Sequence, residues 1–262
     1  MSASSRPLAG RHAVVTGAGR GIGAAIAEEL ARCGASVTLM ARNASALAAQ
    51  SSRIERLHGT SVRPVACDVS DAAAVAAAFE TAAAGLGHPA ILVNNAGQAE
   101  AAAFLDTSLE SWRRMLDVNL LGPVYCTRAV LPAMLAAGRG RIVNIASMSG
   151  LTAYARTTAY TASKHGLVGL TRALALEVRK HAITVNAVCP GYTDTDMALL
   201  AERNLMAALN KSAEEARAII LRRNPRGTLI QPSEVARVVA WLCTDATGAI
   251  NGQAIPVAGG EM

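Results

Sequence analysis

The stretch HAVVTGAGRGIG, His12 to Gly23, decides the fold of this chain. Its first five residues are mostly apolar, a pattern typical of a short buried strand. A glycine-rich segment follows, and Ile22, Ile26 and Leu30 then recur at four-residue spacing. That spacing predicts a helix, which Gly34 ends. The sequence therefore begins with a strand, a glycine-rich turn and a helix in succession.

The same alternation of strands and helices continues along the rest of the chain. Further strands are predicted at residues 36–41, up to 67, and at 90–93, 141–145, 183–188 and 253–257. The last helix begins at Pro232, a residue suited to a first helical position. Strict alternation implies right-handed crossovers and a parallel sheet with helices on both faces. We predict a single α/β domain over residues 1–262, a doubly wound, Rossmann-like parallel sheet of about seven strands.

The segment from Thr193 to Thr228 departs from this alternation. It is helical in pattern and rich in methionine and leucine, so we expect an apolar insertion that covers the substrate. Arg222, Arg223 and Arg226 lie near its end. They would suit the phosphates of a coenzyme A or carrier-protein arm, and equally they would suit a solvated basic face.

The composition excludes several classes of protein. Hydrophobic residues make up 52% of the chain and charged residues 17%, which favours a large core over disorder. The longest uninterrupted apolar run is shorter than the roughly 20 residues of a membrane helix. The N-terminal residues 1–12 contain no signal-peptide core and are predicted to form a short loose tail. We expect a cytoplasmic protein without a membrane segment.

The net charge and the cysteine content indicate which binding partners and metal sites to expect. The net charge is +6, but the arginines are dispersed, aromatic residues are 3%, and no nucleic-acid motif is present. We expect no nucleic-acid partner; a mildly basic surface also suits small anions. The five cysteines are scattered without CxxC spacing, which predicts buried, reduced thiols and no metal site.

The glycine-rich loop predicts a phosphate site. Gly17, Gly21 and Gly23 follow the spacing GxxxGxG, and Arg20 and Ile22 belong to the same loop. The glycines allow a tight turn and close backbone approach, and the helix N-terminus offers unpaired N–H groups. We therefore expect this loop to bind the pyrophosphate of a dinucleotide.

The end of the second strand predicts which dinucleotide is bound. Sites specific for NAD tend to place a carboxylate there for the ribose hydroxyls. This chain has Ala41 and Arg42 instead. Arginine can hold a 2′-phosphate with two hydrogen bonds, and Arg20 is positioned to add a second cation. We expect NADP(H), with NAD(H) as the alternative.

Polar residues also follow the next two strands. Asp68 ends the third strand, where its carboxylate is suited to accept a hydrogen bond from the adenine amino group, with Val69 donating beside it. Asn95, Ala96 and Gly97 follow the fourth strand and are predicted to lie beneath the adenosine ribose. Ligands of such sheets bind beyond the carboxyl ends of the strands, where all five residues lie.

The pentapeptide YTASK contains the predicted acid–base residue. Tyr160 and Lys164 are four positions apart, so a helix places both on one face. We expect the ammonium to lower the pKa of the phenol from its usual value of about 10. Ser147 follows the fifth strand and is suited to stabilise charge on the substrate oxygen. Asn119, in the middle of a helix, is expected to hold a water that links Lys164 to solvent.

Together these segments identify a family. The chain resembles the short-chain dehydrogenases/reductases from about Leu8 to Gly260, through TGAGRGIG, NNAG, Asn119, Ser147, YTASK and PGYTDTDM. The resemblance implies a catalytic tetrad of Asn119, Ser147, Tyr160 and Lys164. It also implies nicotinamide contacts from Pro190, Gly191, Thr193 and Thr195. A homotetramer built from paired long helices is implied as well.

The resemblance also implies the reaction. Hydride passes between nicotinamide C4 and a carbonyl carbon, and Tyr160 transfers the proton without a metal. In appearance the chain is most similar to 3-oxoacyl-thioester reductases and polyketide ketoreductases, so the substrate is expected to be a carbonyl or alcohol, free or linked to coenzyme A or acyl carrier protein. Two alternatives stay open: an NAD-dependent secondary-alcohol or sugar dehydrogenase, and a dinucleotide sensor without turnover.

Overall fold

The sheet has the predicted doubly wound architecture. The computed structural model describes residues 6–261; residues 1–5 of the predicted tail and residue 262 lie outside the described part. The strands are β1 His12–Thr16, β2 Ser36–Ala41, β3 Val62–Ala66, β4 Ile91–Asn94, β5 Arg139–Ile145, β6 Ala182–Pro190 and β7 Ala254–Val257. Within residues 6–261 these seven strands form one parallel sheet in the order β3-β2-β1-β4-β5-β6-β7. The predicted fold class is confirmed.

Helices connect the strands. They are α1 Gly21–Arg32, α2 Ala44–His58, α3 Ala72–Leu86, α4 Leu109–Leu116, α5 Gly122–Ala137, α6 Thr158–Glu177, α7 Asp196–Leu209, α8 Ala213–Leu221 and α9 Pro232–Leu242. Short 3-10 turns occur at Phe104–Asp106, Met148–Gly150 and Asp245–Thr247. A π-helical turn, Asp117–Leu121, joins α4 to α5. The long helix predicted near residue 108 is therefore continuous to residue 137, with one wide turn at Asn119.

Side-chain caps explain where several helices begin. Asn43 accepts a hydrogen bond from Ala46 N at the start of α2. Asp71 accepts from Ala73 N and Ala74 N at the start of α3, at 2.9 and 3.1 Å. Each cap satisfies N–H groups that have no partner within the helix, which stabilises the helix by about 1 kcal/mol.

Alternation along the strands divides the core between the two faces of the sheet. Ala13 and Val15 of β1 pack with Leu30 of α1 in a cluster that also contains α2 and α9 residues. Val14 points to the other face, where it packs in a cluster with Phe79 of α3 and residues of α5 and α6. Full burial of a side chain such as Leu30 contributes about 2 kcal/mol. Both faces are thus covered, as expected for a parallel sheet.

The strand order places a crevice at the carboxyl end of β1. β1 pairs with β2 on one side and with β4 on the other, so successive crossovers leave in opposite directions. Ligands of open α/β sheets bind at such a switch point. The loops that follow β1 and β4 therefore form the two sides of the expected binding crevice.

The long helix from Leu109 to Ala137 has an unusually apolar surface. Within residues 6–261 it is one helix that is long and apolar enough to cross a membrane, judged by length and composition alone. Of the most apolar 18-residue segment of this helix, 33% is buried. Its buried side chains include Val118, Cys126 and Met134, which pack against the sheet. It is therefore a core helix with a partly exposed apolar face.

The cysteines lie in the protein interior. The free thiols at positions 33, 67, 126, 189 and 243 are all buried, as the sequence predicted. Burial raises the pKa of the Cys126 and Cys243 thiols to about 12, so they are protonated and unreactive at neutral pH. Within residues 6–261 no group of three His, Cys, Asp or Glu side chains has the arrangement of a metal site.

His12 at the start of β1 makes stability dependent on pH. Its Nδ1 lies 2.6 Å from Gly87 O and its Nε2 lies 2.8 Å from Thr38 Oγ1. Burial lowers the pKa of His12 below its usual value of 6.5. The unfolded chain therefore binds a proton more readily, and stability that is fully present above pH 6.5 is lost as the pH falls through the folded pKa.

We expect the wild type to lose more unfolding free energy than His12→Gln between pH 7.5 and pH 5.5, because glutamine does not titrate. Urea denaturation at both pH values measures this difference. His181→Gln, at an exposed position, serves as the control and should behave like the wild type. Equal losses in wild type and His12→Gln would contradict the assignment.

Candidate active site

The glycine-rich loop after β1 is closely fitted to the end of β4. Asn95 Nδ2 donates hydrogen bonds to Thr16 O at 2.9 Å and to Gly17 O at 3.3 Å. Gly17 has φ of +65°, and a Cβ there would lie 2.8 Å from Asn95 Nδ2. A Cβ at Gly23 would lie 2.3 Å from Gly17 O. Both positions therefore require glycine, and the loop forms a cradle without side chains.

The cradle is held by Thr16 and bordered by Thr195. Thr16 Oγ1 accepts hydrogen bonds from Asn95 N and Ala96 N, both at 3.0 Å. On the opposite side, a Cβ at Gly21 would lie 3.3 Å from Thr195 Cγ2. The structure thus brings together the predicted loop, the end of β4 and one of the residues predicted to contact the nicotinamide half.

The N-terminus of α1 opens into this cradle. Its N-cap residue, Arg20, has an extended backbone and makes no side-chain cap. The first N–H groups of the helix are therefore uncapped, and the helix dipole adds partial positive charge. Ile22 packs against the core. A cradle that a Cβ would fill and an uncapped helix terminus fit the pyrophosphate of a dinucleotide.

The Arg20 side chain extends toward α7. Arg20 Nη1 donates to Asp196 Oδ2 at 2.8 Å, and both side chains are exposed. Arg42 is the cation at the end of β2, with Nη1 4.0 Å from Asp68 Oδ2. The two arginines predicted to bind the 2′-phosphate therefore make different contacts. Arg42 lies at the expected edge of the crevice, whereas Arg20 forms an ion pair with the insertion.

Asp68 and Val69 follow β3 as predicted. Asp68 Oδ1 accepts hydrogen bonds from Ser70 N and Ser70 Oγ, at 3.0 and 2.7 Å. These bonds lower the pKa of Asp68, with Arg42 adding to the effect, so the carboxylate is charged at neutral pH. Val69 is buried, and its Cγ2 would lie 3.0 Å from a Cβ at Gly122. Asp68 keeps an oxygen directed at Arg42, close to the crevice.

The end of β4 meets two of the four predicted catalytic residues. A Cβ at Gly97 would lie 3.1 Å from Asn119 Oδ1 and 3.5 Å from Lys164 Nζ. Lys164 is 4% exposed, and its Nζ donates to Ile145 O at 2.9 Å. Burial lowers the pKa of Lys164 to about 8. The strand end, the π-helical turn and α6 therefore converge on one point.

The structure corrects the predicted electrostatics of Tyr160. Lys164 Nζ lies 5.8 Å from the centre of the Tyr160 ring and is bonded to a main-chain carbonyl. Desolvation raises the pKa of Tyr160, and the Ser147 hydroxyl opposes that rise. The structure contradicts the prediction that the pKa of Tyr160 is lowered, because desolvation of the phenol is the largest effect on it and raises it. Tyr160 is a neutral phenol at neutral pH.

The Asn119 side chain makes hydrogen bonds within the protein that the sequence did not predict. Its Nδ2 donates to Gln98 O at 2.9 Å and to Ser163 Oγ at 3.1 Å, and its Oδ1 accepts from Gln98 N at 2.9 Å. Both amide hydrogens are therefore used within the protein, and the side chain joins the segment after β4 to α6. Ser163 Oγ in turn donates to Tyr160 O at 2.7 Å. Asn119 is connected to the tyrosine through protein groups.

The segment after β6 completes the crevice. Pro190 ends β6, and Gly191 N donates to Val257 O at 3.1 Å. Thr193 forms an isolated parallel bridge with Ile230. The two hydrogen bonds of this bridge are made by the residues on either side of Thr193: Asp194 N donates to Ile230 O, and Tyr192 O accepts from Ile230 N. The N–H and C=O groups of Thr193 itself are directed away from Ile230. Thr193 O accepts a hydrogen bond from Thr195 Oγ1 at 3.2 Å, which connects two of the residues that the resemblance assigns to the nicotinamide half.

Sequence reasoning missed a second group of residues beside the crevice. Tyr154 Oη donates to Glu261 Oε1 at 2.6 Å, and Tyr192 follows Gly191. Only four tyrosines occur in the chain, and three of them, at positions 154, 160 and 192, gather here. The scarcity of tyrosine was the one available signal; nothing in the sequence paired Glu261 with position 154.

Comparison with known proteins is consistent with this geometry. A family model described as short chain dehydrogenase matches residues 11–219. A granaticin polyketide synthase protein of Streptomyces violaceoruber, named as ketoacyl reductase 1, is 42% identical over 250 residues, covering 95% of this chain and 92% of its own. The 3-oxoacyl-(acyl-carrier-protein) reductase of Pseudomonas aeruginosa is 40% identical over 253 residues, covering 97% and 98%.

A solved structure extends the likeness to three dimensions. A substituted actinorhodin polyketide ketoreductase, crystallised with NADPH, superposes with a TM-score of 0.92 at 39% identity. The match covers 95% of this chain and 96% of that protein. The chain therefore belongs to the short-chain dehydrogenase/reductase family, whose members are nicotinamide-dependent oxidoreductases that act on carbonyl and alcohol groups.

Proposed function

We propose that the protein is an NADP(H)-dependent ketoreductase in which Tyr160 is the general acid and base. The observation that carries this proposal is the position of a neutral phenol between Ser147 and Lys164, beside a cradle suited to a dinucleotide. A protonated phenol is the form required to donate a proton to a carbonyl oxygen. The similarity to ketoacyl and 3-oxoacyl reductases also supports a reaction in the direction of carbonyl reduction.

Each part of the crevice would hold one part of the dinucleotide. Residues 17–23 would bind the pyrophosphate, Arg42 the 2′-phosphate, and Asp68 the adenine, with Val69 beside it. Residues 95–97 would lie under the ribose, and residues 190–195 would contact the nicotinamide. When bound, NADP(H) supplies or accepts the hydride.

The proton is handled by groups of this chain. Tyr160 Oη gives its proton to the substrate oxygen as negative charge develops there, and the Ser147 hydroxyl donates a hydrogen bond to the same oxygen. Below pH 8 the Lys164 side chain is protonated, which favours the phenolate once the proton has left. Alcohol oxidation uses the same groups in reverse.

Asn119 acts as a positioning residue. Its amide fixes the Gln98 backbone on one side and Ser163 on the other, and Ser163 bonds the main-chain carbonyl of Tyr160. The asparagine thereby fixes the distance between the end of β4 and α6. A π-helical turn, a feature often found at functional sites, brings it to this depth.

The substrate is expected beneath the insertion at residues 193–228. A cavity of about 360 Å³ lies between residues 99–108 and α7, and Leu200 and Asn204 line its α7 side. Met197, Leu199 and Leu200 are between 43% and 48% exposed, which gives α7 an apolar outer face. The apolar outer face of α7 suits a hydrophobic ketone or a 3-oxoacyl thioester, whereas Glu100 and Arg114 make the opposite wall of the cavity polar. The exposed Arg222 and Arg223 would then lie near the phosphates of a coenzyme A or carrier-protein arm.

Turnover without Tyr160 tests the catalytic assignment. NADPH oxidation is followed at 340 nm with acetoacetyl-CoA, cyclic ketones and quinones, to find which classes the wild type reduces. We expect Tyr160→Phe to lower kcat at least 10²-fold, as for the loss of a general acid, while the Kd for NADPH changes less than threefold.

Tyr125→Phe is the matched control, because the fourth tyrosine lies on α5. It should keep wild-type turnover. Unchanged turnover in Tyr160→Phe would exclude the acid–base role. Absence of turnover in the wild type across all three classes, with NADPH still bound, would favour the dinucleotide sensor.

Arg42→Ala tests the choice of cofactor. Loss of a charged partner of the 2′-phosphate should raise the Kd for NADPH about tenfold or more and leave the Kd for NADH within twofold. Fluorescence titration with both nucleotides measures the two constants. Arg56→Ala, at an exposed position on α2, should change neither. Tighter binding of NADH than NADPH by the wild type would instead support an NAD-dependent alcohol or sugar dehydrogenase.

The exposed apolar face of the long helix supports the proposed homotetramer. Leu121 and Leu135 are each 37% exposed on this helix, and Leu176 of α6 is 63% exposed. Large exposed apolar side chains on rigid helices are typical of interfaces between subunits.

Sedimentation should give the mass of four 26.9 kDa chains. Leu135→Glu combined with Leu176→Glu should reduce that mass, because charge opposes burial of the face. Leu57→Glu, exposed on α2, is the control and should leave the mass unchanged. A monomeric wild type would contradict the proposal.

A further inference from the structure

A buried carboxylate lies beside the active site and has no role in the proton transfer. Glu261 is 8% exposed, and its Oε1 accepts the hydrogen bond of the Tyr154 hydroxyl at 2.6 Å. Its Oε2 would lie 3.1 Å from a Cβ at Gly191, the residue that follows β6. Within residues 6–261 no Lys, Arg or His nitrogen lies within 4.0 Å of this carboxylate, and Oε2 accepts no hydrogen bond.

The carboxylate is held in place by its surroundings. Gly259 and Gly260 both have positive φ, and they lie against Asn224 and Pro225 at the end of the insertion. Asn224 Nδ2 donates to Thr228 O at 2.6 Å, which fixes that turn. Glu261 is therefore part of a built structure. Tyr154 occupies Oε1 and leaves Oε2 as an acceptor for a further donor, and a hydrogen bond to a carboxylate oxygen is stronger than one between neutral groups.

The strand order places Glu261 on the substrate side of the crevice. The adenosine half of the dinucleotide is assigned to the ends of β2 and β3, and the nicotinamide half to the ends of β4 to β6. Glu261 follows β7, which lies beyond β6 at the opposite end of the sheet. Burial raises the pKa of Tyr192 and the Glu261 carboxylate adds to the rise, because the carboxylate lies near Tyr192. Glu261 therefore lies beside Gly191, one of the residues assigned to the nicotinamide half.

The charges around Glu261 select the kind of donor. The Arg223 guanidinium lies 4.9 Å over the centre of the Tyr154 ring, at the exposed side of the cluster. This cation disfavours a second positive charge nearby, so a substrate ammonium is a poor ligand. A neutral hydroxyl donates one hydrogen bond to Oε2 and adds no charge.

We propose that Glu261 is a specificity-determining residue, whose carboxylate accepts a hydrogen bond from a hydroxyl group that the substrate carries in addition to its reacting carbonyl. The inference rests on the proposed ketoreductase function. It assigns a hydroxylated ketone as the preferred substrate class. Tyr154 is the positioning residue that occupies one carboxylate oxygen and leaves the other for the substrate.

The test compares 4-hydroxycyclohexanone with 4-methoxycyclohexanone, using NADPH and the full-length protein. The methoxy group keeps the oxygen and removes the donor. We expect kcat/KM for the hydroxy ketone to exceed that for the methoxy ketone about tenfold or more in the wild type. In Glu261→Gln the amide oxygen still serves Tyr154, but an NH₂ group replaces Oε2, so the preference should fall below about threefold.

Two further variants separate recognition from folding. Glu214→Gln, at an exposed position on α8, should keep the wild-type preference. Tyr154→Phe removes the hydrogen bond that orients the carboxylate, so it should reduce the preference while kcat/KM for the methoxy ketone stays close to that of the wild type.

An equal rate for both ketones in the wild type would overturn the inference even if Glu261→Gln failed to fold. A preference that persists in folded Glu261→Gln would overturn it as well. Failure of the proposed function would look different: NADPH oxidation would be absent with every ketone.

Discussion

Desolvation of one face of α6 sets the chemistry of this site. Tyr160 and Lys164 share that face, and burial moves the pKa of the phenol up and that of the ammonium down. Each shift favours the neutral form of its group. The phenol consequently holds its proton until charge develops on a substrate oxygen. The site is therefore suited to proton donation to a carbonyl oxygen.

The cradle and the acid–base pair are linked by one strand end. Asn95 bonds the glycine-rich loop, and two residues later Gly97 lies against Asn119 and Lys164. Gln98 N then donates a hydrogen bond to Asn119 Oδ1, and Gln98 O accepts one from Asn119 Nδ2. A displacement of residues 95–98 would therefore change the cofactor site and the catalytic site together. The side chains of Thr16, Asn95 and Asn119 hold this segment through hydrogen bonds to main-chain groups.

Local patterns in the sequence predicted most of the fold and the elements of the site, for reasons that are local. Apolar alternation, Asp71 as a cap and the glycine spacing act over a few residues, so strand order and the loop followed from them. The protonation state of Tyr160 did not follow, because desolvation depends on everything packed around the ring. The Asn119 contacts also depend on a π-helical turn that no spacing rule indicates. The contact of Arg20 with Asp196 could not be predicted, because the two residues lie 176 positions apart in the chain.

Different elements of the fold supply the groups proposed to catalyse the reaction and the groups proposed to recognise the substrate. Groups proposed to move the proton come from the ends of β4 and β5 and from α6, all anchored in the sheet. Groups proposed to recognise the substrate come from the loop before α6, from α7 and α8, and from the residues after β7. The first set has few permitted side chains, since each atom has a defined donor or acceptor. The second can vary without disturbing the first, because Glu261 touches Tyr154 and Gly191 and makes no hydrogen bond to Tyr160, Ser147 or Lys164. A short motif therefore identifies the reaction, whereas the substrate depends on contacts between segments far apart in the chain.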